Sequence, residues 1–383
     1  MRFVSPLLKS VVYPGLAGVG CFRLMSRPGI AVITYHGVLP PGYKPIDSGF
    51  DGSLITAQTF RQHLRILQKN YQIITPEHFL LWSQGKQELP PRAALLTCDD
   101  GFMNNLTEMV PILQEEELKC LFFVTGDSTT DDRTMLWHEE LLLLFLRAPS
   151  QAFRITADGI ELQGSLGPEE QRRVLWWDAV KRLSQVDRGR RDSFLQTAHS
   201  YFGLERSLDY YLENYPEARR HFCLMTRAEL RQLADSGMTI GAHTLTHSIL
   251  SQMPPELAWT EMVESRTRLE AVTGQRVWAF AYPFGDAYSV SPTIVSMAKQ
   301  AGFEAAFLNL GGGLGTELPL HAIPRVHVNS GMKLAEFEAH VSGFYEALQR
   351  RTHRTPVSNL QATDISSSSA FRPSEQMTTP KTA

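Results

Sequence analysis

Two short runs of residues carry recognisable chemistry. Thr97-Cys98-Asp99-Asp100-Gly101 sets two carboxylates side by side, and His243-Thr244-Leu245-Thr246-His247 sets two imidazoles four residues apart. Imidazoles at that spacing lie on one side of a helical turn and can share a cation. With a carboxylate they make a three-ligand site that leaves a position open for water, the arrangement of catalytic zinc. Asp100, His243 and His247 are the candidate ligands. An ion held there lowers the pKa of a water from about 15.7 towards about 7, and Asp99, next in the chain to a ligand, is placed to take the proton. Zn2+ is the first choice, while Co2+, Mn2+, Ni2+ and Fe(II) also accept two His and one carboxylate. Taken alone, the double aspartate also reads as an Asp-Gly turn with a helix cap, and a lone histidine reads as structural.

A third run, Phe280-Ala281-Tyr282-Pro283-Phe284-Gly285, ends a strand at Pro283 and turns at Gly285. It offers a backbone N–H, for example that of Tyr282, to an oxyanion, and Tyr282, Pro283 and Phe284 as an apolar wall for a sugar ring.

Strands and helices must position these runs. Residues 29–38 and 94–98 read as buried strands, and helical spacing of Phe60, Leu64 and Leu67 follows the first. Residues 120–124, 238–241 and 277–281 are further strands separated by helices, so the expected fold is α/β, an irregular (β/α)7-type barrel with a parallel sheet. Both charged runs then stand at the carboxyl ends of strands, where such barrels place their chemistry. The alternation breaks over residues 128–225, read as an inserted, mostly helical subdomain with a hairpin at Asp158-Gly159 and an amphipathic helix over 169–183. Trp176 and Trp177 on that helix read as core rather than sugar platforms. Residues 1–28 form an N-terminal segment, the barrel runs over 29–345, and 351–383 has the Ser, Thr and Pro content of a disordered tail.

At this point the chain resembles the polysaccharide deacetylases of carbohydrate esterase family 4, a group that includes chitin, peptidoglycan and nodulation-factor deacetylases. That family carries T-F-D-D-G, H-[ST]-x-x-H and R-x-P-[YF]-G in this order, and TCDDG, HTLTH and AYPFG stand here, after an opening YHGV strand. The resemblance covers residues 29–128 and 226–340. It implies that Asp99 is the catalytic base, that Asp100, His243 and His247 bind the metal, and that Tyr282 stabilises the tetrahedral intermediate through its backbone. Two departures bear on this. Ala281 stands where many members have an arginine that holds the base, and Arg325, in a late strand over 322–328, is the candidate replacement. The family's late Leu-x-His acid motif has no clean copy. His327, two residues beyond Arg325, is the first candidate for the acid and His321 the second, while His36 reads as structural.

The implied reaction is removal of N-acetyl groups from an amino-sugar glycan by a metal-dependent hydrolase, with release of acetate. An O-acetyl glycan esterase would share every catalytic residue. A non-catalytic carbohydrate-binding protein on the same fold is a further reading, and an iron oxygenase would use the same ligands on a different, all-β fold.

Bulk properties narrow the partners. With 383 residues and 43% hydrophobic content the chain can bury a large core. A formal net charge of −3, without a basic stripe, argues against nucleic acid and leaves an acetylated oligo- or polysaccharide as the expected partner. The four dispersed cysteines, Cys21, Cys98, Cys120 and Cys223, read as free thiols. No run approaches the roughly 18 apolar residues of a membrane span. A cytoplasmic or membrane-peripheral location is favoured over export, and the oligomeric state is open.

Overall fold

The computed structural model describes residues 8–25, 29–44, 51–130, 135–214, 216–311 and 318–352. The expected disordered tail lies outside these, apart from its first two residues, which end the last helix. Eight strands form one sheet: β1 (Gly29–Tyr35), β2 (Gln72–Ile74), β3 (Arg92–Cys98), β4 (Leu121–Val124), and, beyond the β5 and β6 described below, β7 (Thr239–Ala242), β8 (Ala279–Ala281), β9 (Ala305–Phe307) and β10 (Val326–His327). Their order is β10-β1-β3-β4-β7-β8-β9, every pairing is parallel, and β2 borders the first half of β3 while β4 borders its second half. Every residue of β1 is buried, as a parallel strand covered on both faces requires.

The sheet curls because its two edges are stitched by one segment. Residues 322–328, expected as a single strand, pair with β1 only through Val326 and His327, while Ile323 bridges to Phe307 of β9. Pro324 has no N–H for a ladder, so the segment leaves one edge before it joins the other. Side-chain parity divides the core. Ile33, Leu96, Cys98 and Phe280 face the surrounding helices, whereas Val32, Leu95, Phe123 and Phe307 fill the interior of the barrel.

Helices begin where their caps say. Thr226 and Glu229 close a capping box before Arg227–Asp235, and Thr56 and Thr75 cap Ala57–Asn70 and Pro76–Ser83. The last helix, expected as one piece, breaks at Gly343 (φ 74°) into Leu334–Val341 and Phe344–Thr352. Tyr13 and Phe22 of the N-terminal segment pack there against Ala339 and Phe344.

The region over 128–225 builds a core of its own from Phe145, Phe153, Leu162, Val180 and Phe194. Its hairpin, β5 (Ala152–Ala157) and β6 (Ile160–Ser165), turns through left-handed Asp158 and Gly159 as expected. The helix Arg188–Phe202 went unassigned in the sequence reading, although Asp187 caps its start and left-handed Gly203 its end.

Candidate active site

At the end of β3 the strand alternation is broken deliberately. Thr97 and Asp99 face inward and Cys98 faces the helices, so a regular strand would send Asp100 outward with it. Asp100 (φ 79°) and Gly101 (φ 83°) instead adopt left-handed backbone, which brings the second carboxylate back to the mouth. A Cβ at position 101 would lie 2.7 Å from Val124 Cγ1, so only glycine fits this turn.

The HTLTH run is not helical. It follows β7 as a tight turn with Thr244 (φ 61°) and His247 (φ 55°) left-handed, and Gly126 and Asp127 donate their N–H groups to Thr244 and Leu245 carbonyls. The expected proximity of the imidazoles is nonetheless met: their ring centroids are 4.9 Å apart. Asp100 Oδ1 lies 3.4 Å from His243 Nε2 and 3.2 Å from His247 Nε2. One ligand atom from each of the three residues falls within 4.8 Å of the others, and all three residues are buried.

The donor set fits a cation. His243 Nδ1 sits 2.8 Å from the Ala281 carbonyl and must carry the proton that it donates there. In the neutral ring Nε2 then points a lone pair at the Asp100 carboxylate, an arrangement that a divalent ion between them turns from repulsion into coordination. When the His243 and His247 rings carry protons on the Asp100 side instead, their hydrogen bonds outweigh the rise that burial causes and hold the carboxyl well below the usual carboxylate range.

Asp99 is held differently. The Arg325 guanidinium, fully buried, donates to Asp99 Oδ1 at 2.7 Å and Oδ2 at 2.5 Å, to Thr97 Oγ1 at 3.1 Å and to the Leu308 carbonyl at 2.8 Å. This two-pronged pairing fixes the carboxylate plane. Burial would raise its pKa, yet the Arg325 charge, with His243 adding, leaves it lowered and the carboxylate ionised.

A sequence profile of the polysaccharide deacetylases matches residues 86–164 and 203–306, spanning both charged runs. The chain belongs to the polysaccharide deacetylase family. The deacetylase, a hydrolase, is 23% identical over 300 residues to YxkH of Bacillus subtilis strain 168, a protein assigned by name to the polysaccharide deacetylases, covering 78% of this chain and 74% of the relative. Its fold matches that of the Streptococcus pyogenes deacetylase PplD, solved with acetate, at a TM-score of 0.52 and 14% identity over 82% of this chain and 99% of that one. IcaB from Ammonifex degensii aligns at 0.51 and 16% identity over 83% and 98%.

The deacetylase site opens into a cavity of about 370 Å³ whose lining includes Asp99, Asp100, His243, His247, Phe284 and His36. Tyr282 and Pro283 do not reach it. The Tyr282 ring is buried beneath the helices with its hydroxyl on the His321 carbonyl, and its N–H is spent on Phe307 O in the β8–β9 ladder, so it can serve neither as oxyanion donor nor as sugar wall. Phe284 (φ 61°) is the residue that turns into the mouth.

The histidines also change places. His321 bonds the Phe303 carbonyl away from the cavity. His327 lies behind His36, ring centroids 5.1 Å apart, with Nδ1 on Asn309, and burial followed by the His36 and Arg325 charges pushes its pKa down to about 3. A ring that stays neutral is a poor proton donor. His36, read from sequence as structural, is the one that lines the mouth, and its buried Nδ1 has no hydrogen-bond partner among the described residues.

His138 and Glu139 were missed altogether. They open the helix Trp137–Arg147 and line the same cavity, with the His138 ring 4.6 Å from that of His247. The available signal was a polar pair at the head of an otherwise leucine-rich helix. Trp176 and Trp177, read as core, are half-buried and also face the cavity.

Proposed function

We propose that the chain is a metal-dependent hydrolase of N-acetyl groups on an amino-sugar glycan. The observation that carries this is the placement, at one cavity mouth, of an Asp-His-His cluster beside an aspartate clamped by a buried arginine. A divalent ion held by Asp100, His243 and His247 would act as a Lewis acid and acidify a water that it holds.

The protein's own groups account for the rest. Asp99, ionised and fixed by Arg325, takes the proton of the attacking water. The Phe284 N–H, for which the described residues supply no partner, faces the oxyanion in place of that of Tyr282. His36 hands a proton to the departing nitrogen. That last role favours an amide over an ester, because an amine leaves poorly unless it is protonated, whereas an alkoxide needs less help.

The test is acetate release from N-acetylglucosamine oligomers compared with acetylated xylan. Faster release from the amino sugar is expected. Turnover of the ester alone would replace the amidase reading, and metal bound without release from either would make this a binding protein.

A further inference from the structure

The family match stops at residue 164 and resumes at 203. The stretch between holds the helices Glu169–Leu183 and Arg188–Phe202, and both are fastened to the metal-holding turn or to the residues beside it. Arg191, 2% exposed, donates to Thr246 Oγ1 and Ser248 Oγ at 2.7 Å each and lies over the Trp137 ring, whose Nε1 donates to the Thr246 carbonyl at 2.9 Å. Trp176 Nε1 donates to the His138 carbonyl at 2.6 Å. These helices therefore form a fixed wall over the site.

That wall presents a particular chemistry. Trp177 meets Phe284 edge to face at 5.3 Å and Trp176 at 5.8 Å, giving an aromatic surface beside the metal cluster. Glu139, 6% exposed, lines the same cavity, and its Oε2 has no hydrogen-bond partner among the described residues. Burial, with the Asp100 charge adding, raises the Glu139 pKa well above the usual carboxylate range, and a buried carboxyl oxygen left without a partner costs free energy until a ligand supplies one. An aromatic platform beside such an acceptor suits a sugar, which offers C–H faces to the rings and hydroxyls to the oxygen. The cavity of about 370 Å³ admits a sugar ring with its acetamido arm, and the wall formed by the two helices bars continuation of a sugar chain on that side.

We propose that the two helices outside the family match convert the cleft into a pocket for a terminal N-acetylated sugar, stacked on Trp176 and Trp177 and hydrogen-bonded through a hydroxyl to Glu139. This rests on the deacetylase reading, and its test separates the two.

Binding is read first, by tryptophan fluorescence of the Asp99→Asn protein titrated with N-acetylglucosamine, N-acetylgalactosamine and N-acetylmannosamine. At least one monosaccharide should quench, with about tenfold weaker affinity in Glu139→Ala, the loss of one hydrogen bond to a buried acceptor, and weakened binding in both Trp177→Ala and the better-packed Trp177→Phe. Metal content should not change in these variants. Mass spectrometry then locates the free amine in a tetramer of N-acetylglucosamine treated with wild-type protein, where only an end residue should lose its acetyl group. Deacetylation of internal residues overturns the pocket and leaves the deacetylase standing. Monosaccharide binding without acetate release from any glycan upholds the pocket and removes the deacetylase. Absence of quenching by all three sugars, or equal affinity in Glu139→Ala, overturns the pocket.

Discussion

Two buried arginine–carboxylate clusters in this molecule look alike and behave differently. In the core of the 128–225 region, Glu140 receives Arg206 at 3.2 Å through Nη2 and lies 3.2 Å from His199 Nε2, and Arg206 also holds Asp192. At the barrel mouth, Arg325 holds Asp99 just as tightly. Around Asp99, however, polar atoms stand without hydrogen-bond partners among the described residues: His36 Nδ1, His247 Nδ1, Glu139 Oε2 and both nitrogens of His138. Burial of charge is common to both regions. What separates the functional cluster from the structural one is unspent hydrogen-bonding capacity turned towards a cavity.

That comparison can be broken most sharply at the base. Asp99→Asn keeps the hydrogen-bonding shape and removes the proton acceptor, so acetate release should fall by roughly 10²–10⁴-fold with bound metal retained. Parallel assays of turnover and metal content check it, and wild-type rates would return Asp99 to a purely structural role.

The two arginines come next. Arg325→Met leaves a fully buried carboxylate uncompensated and should cost about 3–5 kcal/mol in urea unfolding at neutral pH. Arg206→Met, at a side chain 25% exposed whose glutamate keeps His199, should cost about 1–3 kcal/mol and leave turnover intact. The pH dependence carries its own sign. Because Arg325 lowers the Asp99 pKa, the pair contributes stability above the unfolded carboxyl value of about 3.9 and loses it as pH falls through the folded value. Without Arg325, burial raises the group instead, so the deficit of Arg325→Met should shrink as pH drops towards about 4. A deficit that grows on acidification would contradict this.

The smallest separation concerns the histidine pair. His36→Gln should lower the rate by about 10²-fold on an amide substrate and less on an ester, whereas His327→Gln should cost less on both because its ring only buttresses His36. Equal losses in the two variants would erase the distinction.

Much of this was legible in the residues. TCDDG and HTLTH declare themselves because strand ends are recognisable from apolar runs, and Arg325 follows from the missing arginine at position 281. The failures trace to backbone that no side-chain pattern reveals. Left-handed φ at Thr244 and His247 makes a turn where the spacing suggested a helix, and left-handed φ at Phe284 swings it into the mouth while Tyr282, which keeps the regular strand parity of Phe280, goes beneath the helices. The three-residue strand β9, all alanine and phenylalanine, is too short to show a period. His138 and Glu139 stayed hidden because a leucine-rich helix reads as core, and only the tertiary fold shows which end of it meets the site. Trp176 and Trp177 serve as packing on one side and cavity wall on the other, which helical spacing alone cannot separate.

The central claim is that Asp100, His243 and His247 hold a single divalent cation. Metal analysis of the purified wild-type protein beside His243→Ala tests it most directly: about one equivalent of ion per chain in the wild type and almost none in the variant, with both folded by circular dichroism, is the expected result. Equal metal content in the two proteins, or turnover that survives exhaustive chelation, would contradict it.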